Sequence, residues 1–286
     1  MAVAHRTRSR VRAVNDREEI AAFLRTDRLY AAYALGDLDG PNRSRIAWGM
    51  AHDDDGRPAS LVMHHEGLVP QPLFLMGAPD GCRAVLDSVI RPRDAYVQGT
   101  ELHEIAIRDL YELDRPILMR RMVVDRETFE PFAGPAERLT ALDIDDLNRL
   151  YQLGFRAGFP PAVVEEGTYY GMRVRGRLVS AAGTHAINPR ERIAVVGNVM
   201  THTDFRGHDF AKMVTSAVTA DLLGRVTDVA LNVHADNDPA VAAYTRLGYR
   251  THCQLVERLA HRRAGGWGLM RPIREAMRIP WPREPK

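Results

Sequence analysis

The sequence has little cysteine. Cys82 and Cys253 stand far apart in 286 residues and form no Cys-x-x-Cys pair, which excludes a disulfide framework and a cysteine-ligated zinc site and fits a reducing, cytoplasmic compartment. Lysine is nearly absent, found only at Lys212 and Lys286. The resulting dominance of arginine is a bias of composition, and no chemistry is read from it. Net charge is also lacking: 39 Lys and Arg against 37 Asp and Glu leave +2, too even a balance to imply a nucleic-acid partner. No apolar run approaches the ~18–20 residues of a spanning helix, and the Arg-rich start from Met1 to Arg12 has no apolar core of a secretory signal, so no membrane association is expected. Metal-ligand spacing is missing as well. The run Asp53-Asp54-Asp55-Gly56 reads as a turn and His64-His65 as one face of a hairpin, so no metal is inferred.

What is present is an ordinary globular balance, 45% hydrophobic and 27% charged, in a chain about twice the usual ~100–150-residue domain. Asp16-Arg17-Glu18-Glu19 opens an amphipathic helix through Ile20, Phe23 and Leu24, and an apolar segment runs from Leu29 to Leu38. Next come a hairpin on either side of the aspartate run, a strand at Leu73–Met76, a helix at Ala84–Ile90, a strand at Ala95–Val97, a helix at Leu102–Leu110 and a strand over Ile117–Val124. Glu130-Pro131-Phe132-Ala133-Gly134-Pro135 breaks every periodicity around it.

A second series follows. Thr140–Leu153 reads as a helix with Leu142, Leu147 and Leu150 near one face, and Tyr169–Thr184 as a hairpin turned by Arg175-Gly176-Arg177. Strand Ile193–Thr201, helix Phe210–Leu223, strand Val229–Val233, helix Pro239–Leu247 and strand Arg250–Leu259 complete it. Both halves run helices, hairpin, strand, helix, strand, helix, strand, the pattern of an internal duplication. The expected division is 1–130, 131–262 and a polar tail, 263–286, whose Trp267, Met270 and Trp281 suggest docking onto the body or a partner.

The chemistry concentrates at Val199-Met200-Thr201-His202-Thr203-Asp204-Phe205-Arg206-Gly207-His208-Asp209-Phe210-Ala211, where a strand, a short loop and a helix N-terminus follow one another, an arrangement that by itself reads either as an anion site or as a plain β-α turn. It is neither a Walker loop nor a dinucleotide fingerprint. Downstream, Asn237 is a good N-cap and Gly248 a C-cap, with Ala240, Ala243 and Leu247 on an inward face.

Together the two segments resemble the GNAT N-acetyltransferase superfamily over roughly residues 137–260. Its loop pattern, Arg/Gln-x-x-Gly-x-Gly/Ala, is met by Arg206 and Ala211; its second motif, Asn-x-x-Ala-x-x-x-Tyr-x-x-x-Gly-Phe/Tyr, is met by Asn237, Ala240, Tyr244, Gly248 and Tyr249. The resemblance implies an α+β fold of tandem GNAT-like domains, each a mixed, mainly antiparallel sheet flanked by helices. It also implies acetyl-CoA as co-substrate and a primary amine, on a small molecule or peptide, as acceptor by direct attack.

Backbone groups of Val199, Met200 and Thr201 would hold the pantetheine arm and polarise the thioester. Arg206, Gly207, His208, Asp209, Phe210 and Ala211 would cradle the pyrophosphate. Asn237 would contact the arm or hold the loop, and Tyr244 would protonate the departing thiolate. Asp209 stands where the family prefers glycine. The family's frequent strand acid is replaced by Ala194-Val195-Val196, leaving Glu165, Glu166, His234 or water as the base. The N-terminal half lacks both motifs, and Pro79 removes an N–H from its corresponding loop, so a degenerate copy that walls the acceptor site or fixes the orientation of the catalytic half is expected. A non-catalytic acyl-CoA sensor and a protein-interaction module are the alternatives.

Overall fold

A computed structural model describes residues 10–152 and 159–263; the tail beyond Arg263, with Trp267, Met270 and Trp281, and Leu153 lie outside them. The first copy runs β1 (Arg10–Ala13), α1 (Arg17–Leu24), α2 (Ala32–Leu38), β2 (Ile46–His52), β3 (Pro58–His65), β4 (Pro72–Gly77), α3 (Pro79–Ser88), β5 (Asp94–Gly99), α4 (Glu101–Ile107), β6 (Tyr111–Leu113) and β7 (Ile117–Asp125). The second runs β8 (Glu137–Arg138), α5 (Ile144–Tyr151), α6 (Pro161–Glu166), β9 (Tyr169–Val174), β10 (Arg177–Asn188), β11 (Ile193–Thr201), α7 (Phe210–Leu223), β12 (Asp228–His234), α8 (Asp238–Arg246) and β13 (Arg250–Arg262). The order of helices, hairpin and alternating strands and helices is the same in both. The fold is α+β, with antiparallel pairings except β4 with β5 and β11 with β12.

Local chemistry sets these elements. Asp16 accepts the Glu19 N–H and starts α1, which buries Ile20, Ala21, Phe23 and Leu24. Gly56, at φ 77°, turns the β2–β3 hairpin, and the Arg57 N–H donates to Asp53 Oδ1 at 2.8 Å; the aspartate run is thus a turn. Thr140 caps a short 3-10 turn, Ala141–Asp143, that precedes α5. That turn corrects one expectation: Leu142 lies on it, not on the inward helix face, and is 95% exposed.

Two compact units emerge, and they do not follow the linear halves. The first unit holds the described residues through Phe129 together with Ala186–Val195 and Val226–Arg263; the second holds Glu130–His185 and Val196–Arg225. Strand exchange is the physical reason. In the first unit β13 pairs with both β5 and β7, and β7 pairs in turn with β12. The last strand of each copy therefore lies beside the parallel pair of the other copy.

The β10–β11 turn is held in the same unit by α1 and α2. Arg17 and Arg25 both bind the buried Glu191, at 2.7 and 2.8 Å, and Asn188 Nδ2 donates to the Leu35 carbonyl at 2.8 Å. One apolar core of this unit gathers Ile20, Leu24, Leu35, Phe74, Val195, Ala230 and Leu255. The second unit has its own core around Leu147, Leu150, Tyr151, Tyr169 and Leu178. Among the described residues no helix is long and apolar enough to cross a membrane.

Candidate active site

In the second unit, β11 is bent before it reaches the loop. Asn198 takes a left-handed φ of 54° within the strand, a conformation asparagine tolerates better than most residues. It is pinned twice: the Tyr151 hydroxyl donates to its carbonyl at 2.6 Å, and its own Nδ2 donates to Tyr169 Oη at 2.9 Å. Val199, Met200 and Thr201 follow, half-buried. Ser180 Oγ binds the Met200 carbonyl at 3.1 Å and Thr201 Oγ1 at 2.7 Å, so these three residues are anchored to β10.

A 3-10 turn, Thr203–Phe205, leads into Arg206-Gly207-His208-Asp209. Gly207 has φ 79° and Asp209 φ 59°, and the two left-handed residues fold the loop back onto the start of α7. The first hydrogen bond that closes α7 is Met213 N–H to the Asp209 carbonyl, 3.0 Å. The N–H groups of Phe210, Ala211 and Lys212 precede that bond, and the Asp209 side chain caps none of them. An uncapped helix N-terminus of this kind suits an anion.

The departure at Asp209 has a local answer. Its carboxylate lies 3.0 Å from Lys212 Nζ, whose side chain is only 7% exposed and sits 3.9 Å from the Phe132 ring centroid. One of the chain's two lysines thus offsets the charge that would oppose a phosphate. Arg206 is exposed, and among the described residues its guanidinium pairs with no carboxylate. His208 Nδ1 lies 2.9 Å from the Arg206 carbonyl, and the His208 ring stacks on Phe210. Glu165 and Glu166 lie exposed at the end of α6.

The remaining expected residues belong to the first unit. Asn237 caps α8, its Oδ1 accepting the Ala240 N–H at 3.2 Å. Tyr244 lies buried on α8, its ring 6.0 Å from that of Tyr249, and its carbonyl accepts the N–H groups of Leu247 and Tyr249. Gly248, at φ 87°, ends the helix. The β11–β12 ladder comprises Ile193–Asp228, Ala194–Val229 and Val195–Ala230, and both strands run on beyond it. An open cavity of about 550 Å³ at the end of β12 is lined by His234, Ala235, Asp236, Pro116, Ile117 and Leu118. No group of His, Cys, Asp or Glu able to hold a metal occurs among the described residues.

Residues 169–258, which contain the β11 bend, the loop, the Asn237 cap and Tyr244, match the family described as FR47-like protein. The C-terminal part of the chain thus resembles an FR47-like domain. No curated protein matches the sequence. Similar solved structures span the whole tandem. A Drosophila protein aligns with a TM-score of 0.62 at 14% identity, covering 88% of this chain and 98% of its own. A GCN5-related N-acetyltransferase from Sphaerobacter thermophilus gives 0.57 at 16%, covering 90% and 97%. A tandem GNAT protein from the clavulanic acid biosynthesis pathway gives 0.52 at 15%, covering 88% and 98%. At these identities the likeness is one of fold, extending around the FR47-like domain to the N-terminal copy.

The sequence reading missed two kinds of site residue. Lys212 sits three residues after Asp209, an ion-pair spacing on a helix that could have been noticed. Tyr151, Tyr169 and Ser180 act through long-range side-chain hydrogen bonds to β11, and nothing in their local sequence signals it.

Proposed function

We propose that the protein is an N-acetyltransferase that moves an acetyl group from acetyl-CoA to a primary amine. The observation carrying this reading is the uncapped start of α7 behind the Arg206–Asp209 loop, within an FR47-like domain. The amides of Gly207, His208, Asp209, Phe210 and Ala211 would take the pyrophosphate, with Arg206 as a mobile counter-charge and Lys212 offsetting Asp209. Val199, Met200 and Thr201 would bind the pantetheine arm through their backbone. Asn237 would contact the arm or hold its own loop through the cap on α8. The cavity at His234–Asp236 offers the acceptor an entrance.

The amine nitrogen attacks the thioester carbonyl carbon, the C–N bond forms and the C–S bond breaks. Tyr244 gives its phenol proton to the thiolate, and the proton lost by the amine passes to water. Orientation of the two reactants accounts for most of the acceleration, and the acid step adds to it. The N-terminal copy serves as a cofactor-free partner that shapes the acceptor side.

Thermal unfolding with and without acetyl-CoA tests the first requirement: at 100 times its Kd the ligand stabilises by about 2.7 kcal/mol. Release of free CoA with an amine panel then separates catalysis from binding alone. An absent thermal shift at millimolar acetyl-CoA contradicts the reading.

A further inference from the structure

Residues 130–136, which join the two copies and belong to the second unit, form neither helix nor strand, yet they are fastened to α7. The Phe132 N–H donates to Ser216 Oγ at 2.8 Å. One turn back along α7, Lys212 Nζ lies 3.9 Å from the centroid of the Phe132 ring. Gly134 passes so close to the next residue, Met213, that a Cβ on it would stand 2.6 Å from the Met213 side chain. Lys212 and Ser216 are both buried and, four residues apart, share one face of the helix. A single residue of the joining segment therefore engages that face twice, by its N–H and by its ring.

A lysine at this place needs such a contact. Lys212 lies in the first turn of α7, where a flexible four-carbon stem ordinarily carries its ammonium out to water, and an exposed i, i+3 ion pair would hold it only weakly. Here the Lys212 side chain is only 7% exposed, although its carboxylate partner, Asp209, is 54% exposed. Two features keep the charge in place. The face of the Phe132 ring attracts a cation, more strongly where water is excluded, and the bond to Ser216 fixes the backbone that carries the ring. The consequence reaches the loop, because the Asp209 carboxylate caps no N–H of α7 and instead pairs with Lys212 at 3.0 Å.

Resting on the acetyltransferase reading, we propose that Phe132 is a positioning residue for acetyl-CoA binding: its ring holds the Lys212 ammonium against Asp209, so that the uncapped start of α7 meets the pyrophosphate with the neighbouring carboxylate already neutralised. Without the ring, Lys212 is drawn to solvent and Asp209 opposes the phosphates with its full charge. The segment that joins the copies thus sets the affinity of the cofactor loop through α7, in addition to linking two folded parts.

The test titrates acetyl-CoA calorimetrically into the full-length chain, Phe132→Leu, Phe132→Trp, Asp209→Asn and the double variant Phe132→Leu with Asp209→Asn. Phe132→Leu keeps an apolar side chain and the backbone bond but removes the π face, and is expected to raise the acetyl-CoA Kd about three- to fivefold. Phe132→Trp restores a π face and returns the Kd to within about twofold of the wild type. In the Asp209→Asn background, where no carboxylate needs neutralising, Phe132→Leu changes the Kd less than about twofold; a merely structural role would weaken binding in both backgrounds. Equal losses in the two backgrounds, or a Kd that Phe132→Leu does not raise, overturn the proposal while leaving the acetyltransferase reading intact. Because the chain has only two lysines, the ¹H–¹⁵N spectrum of the lysine ammonium groups in the ligand-free chain provides a second measurement. The Lys212 ζ-protons lie upfield of the free-lysine position under the Phe132 ring and return to it in Phe132→Leu. Two resonances at the free-lysine position in the wild type overturn the proposal. If the wild type does not bind acetyl-CoA, the acetyltransferase reading fails and this inference falls with it.

Discussion

The two copies pass from a strand to a helix at corresponding places, and they build that passage in opposite ways. In the C-terminal copy, Arg206-Gly207-His208-Asp209 separates the turn after β11 from α7, two left-handed residues open the loop, and a Cβ added at Gly207 would meet nothing within 4 Å. In the N-terminal copy only Ala78 lies between β4 and α3. Pro79 occupies the first turn of α3 and has no N–H. The Ala78 N–H is already bonded to the Ala59 carbonyl at 2.9 Å, and Ser60 Oγ to the Ala78 carbonyl at 2.7 Å. A Cβ at Gly77 would lie 2.2 Å from the Ala59 carbonyl oxygen.

His103 completes this closure. Its Nδ1 accepts the Thr100 N–H at 3.1 Å, so its Nε2 carries the proton and donates to the Gly77 carbonyl at 3.0 Å. The third residue of α8, in the matching place, is Ala240, which has no group that could make such a bridge. One plan thus yields an uncapped helix start behind an open loop and a sealed turn. The difference lies in which backbone N–H groups the chain itself has satisfied.

The comparison can be broken most sharply at Tyr244, which has no counterpart in the first copy. Tyr244→Phe should lower kcat by about 10²-fold or more with acetyl-CoA affinity unchanged, measured by CoA release and calorimetry. Next in size is the cradle itself. Gly207→Val forces a β-branched residue into φ 79°, at a conformational cost of about 1–2 kcal/mol, and should weaken acetyl-CoA binding about tenfold or more. Lys212→Met leaves Asp209 facing the pyrophosphate unpaired. Acetyl-CoA affinity should fall about five- to tenfold, consistent with the ~1 kcal/mol between unit charges ~4 Å apart in a water-exposed loop, and Asp209→Asn in the same background should restore it.

The smallest effect concerns the sealed copy and is read in stability. Burial lowers the His103 pKa below the ordinary 6.5, against the bond to Gly77. The unfolded chain therefore takes up a proton that the folded chain resists, so the stabilisation is present above about pH 6.5 and declines as pH falls. His103→Gln should flatten that decline in a urea-unfolding series between pH 7.5 and 5. Part of the slope should persist, because His64 and His65 are lowered by burial in the same direction.

Much of this was legible before any coordinates. Strand Ile193–Thr201 and helix Phe210–Leu223 have the bounds read from the sequence, because apolar runs, Gly207 and the helical spacing of Val214, Val218 and Leu222 are local signals. The Asn237 cap and the Gly248 stop were legible for the same reason. The exchange of β7 and β13 between copies was not, since a strand's partners lie over a hundred residues away and leave no local mark. Arg121 and Glu257 were passed over because a charge in a strand normally marks its solvent face; only the pairing of β13 between β5 and β7 buries them. Leu142 was misplaced because a capped 3-10 turn was taken for the first turn of a helix.

Calorimetric titration of acetyl-CoA into the full-length chain tests the central claim most directly. The account predicts one acetyl-CoA per chain, retained in His103→Gln and weakened about tenfold or more in Gly207→Val. Two per chain, none, or binding that Gly207→Val leaves unchanged would contradict it.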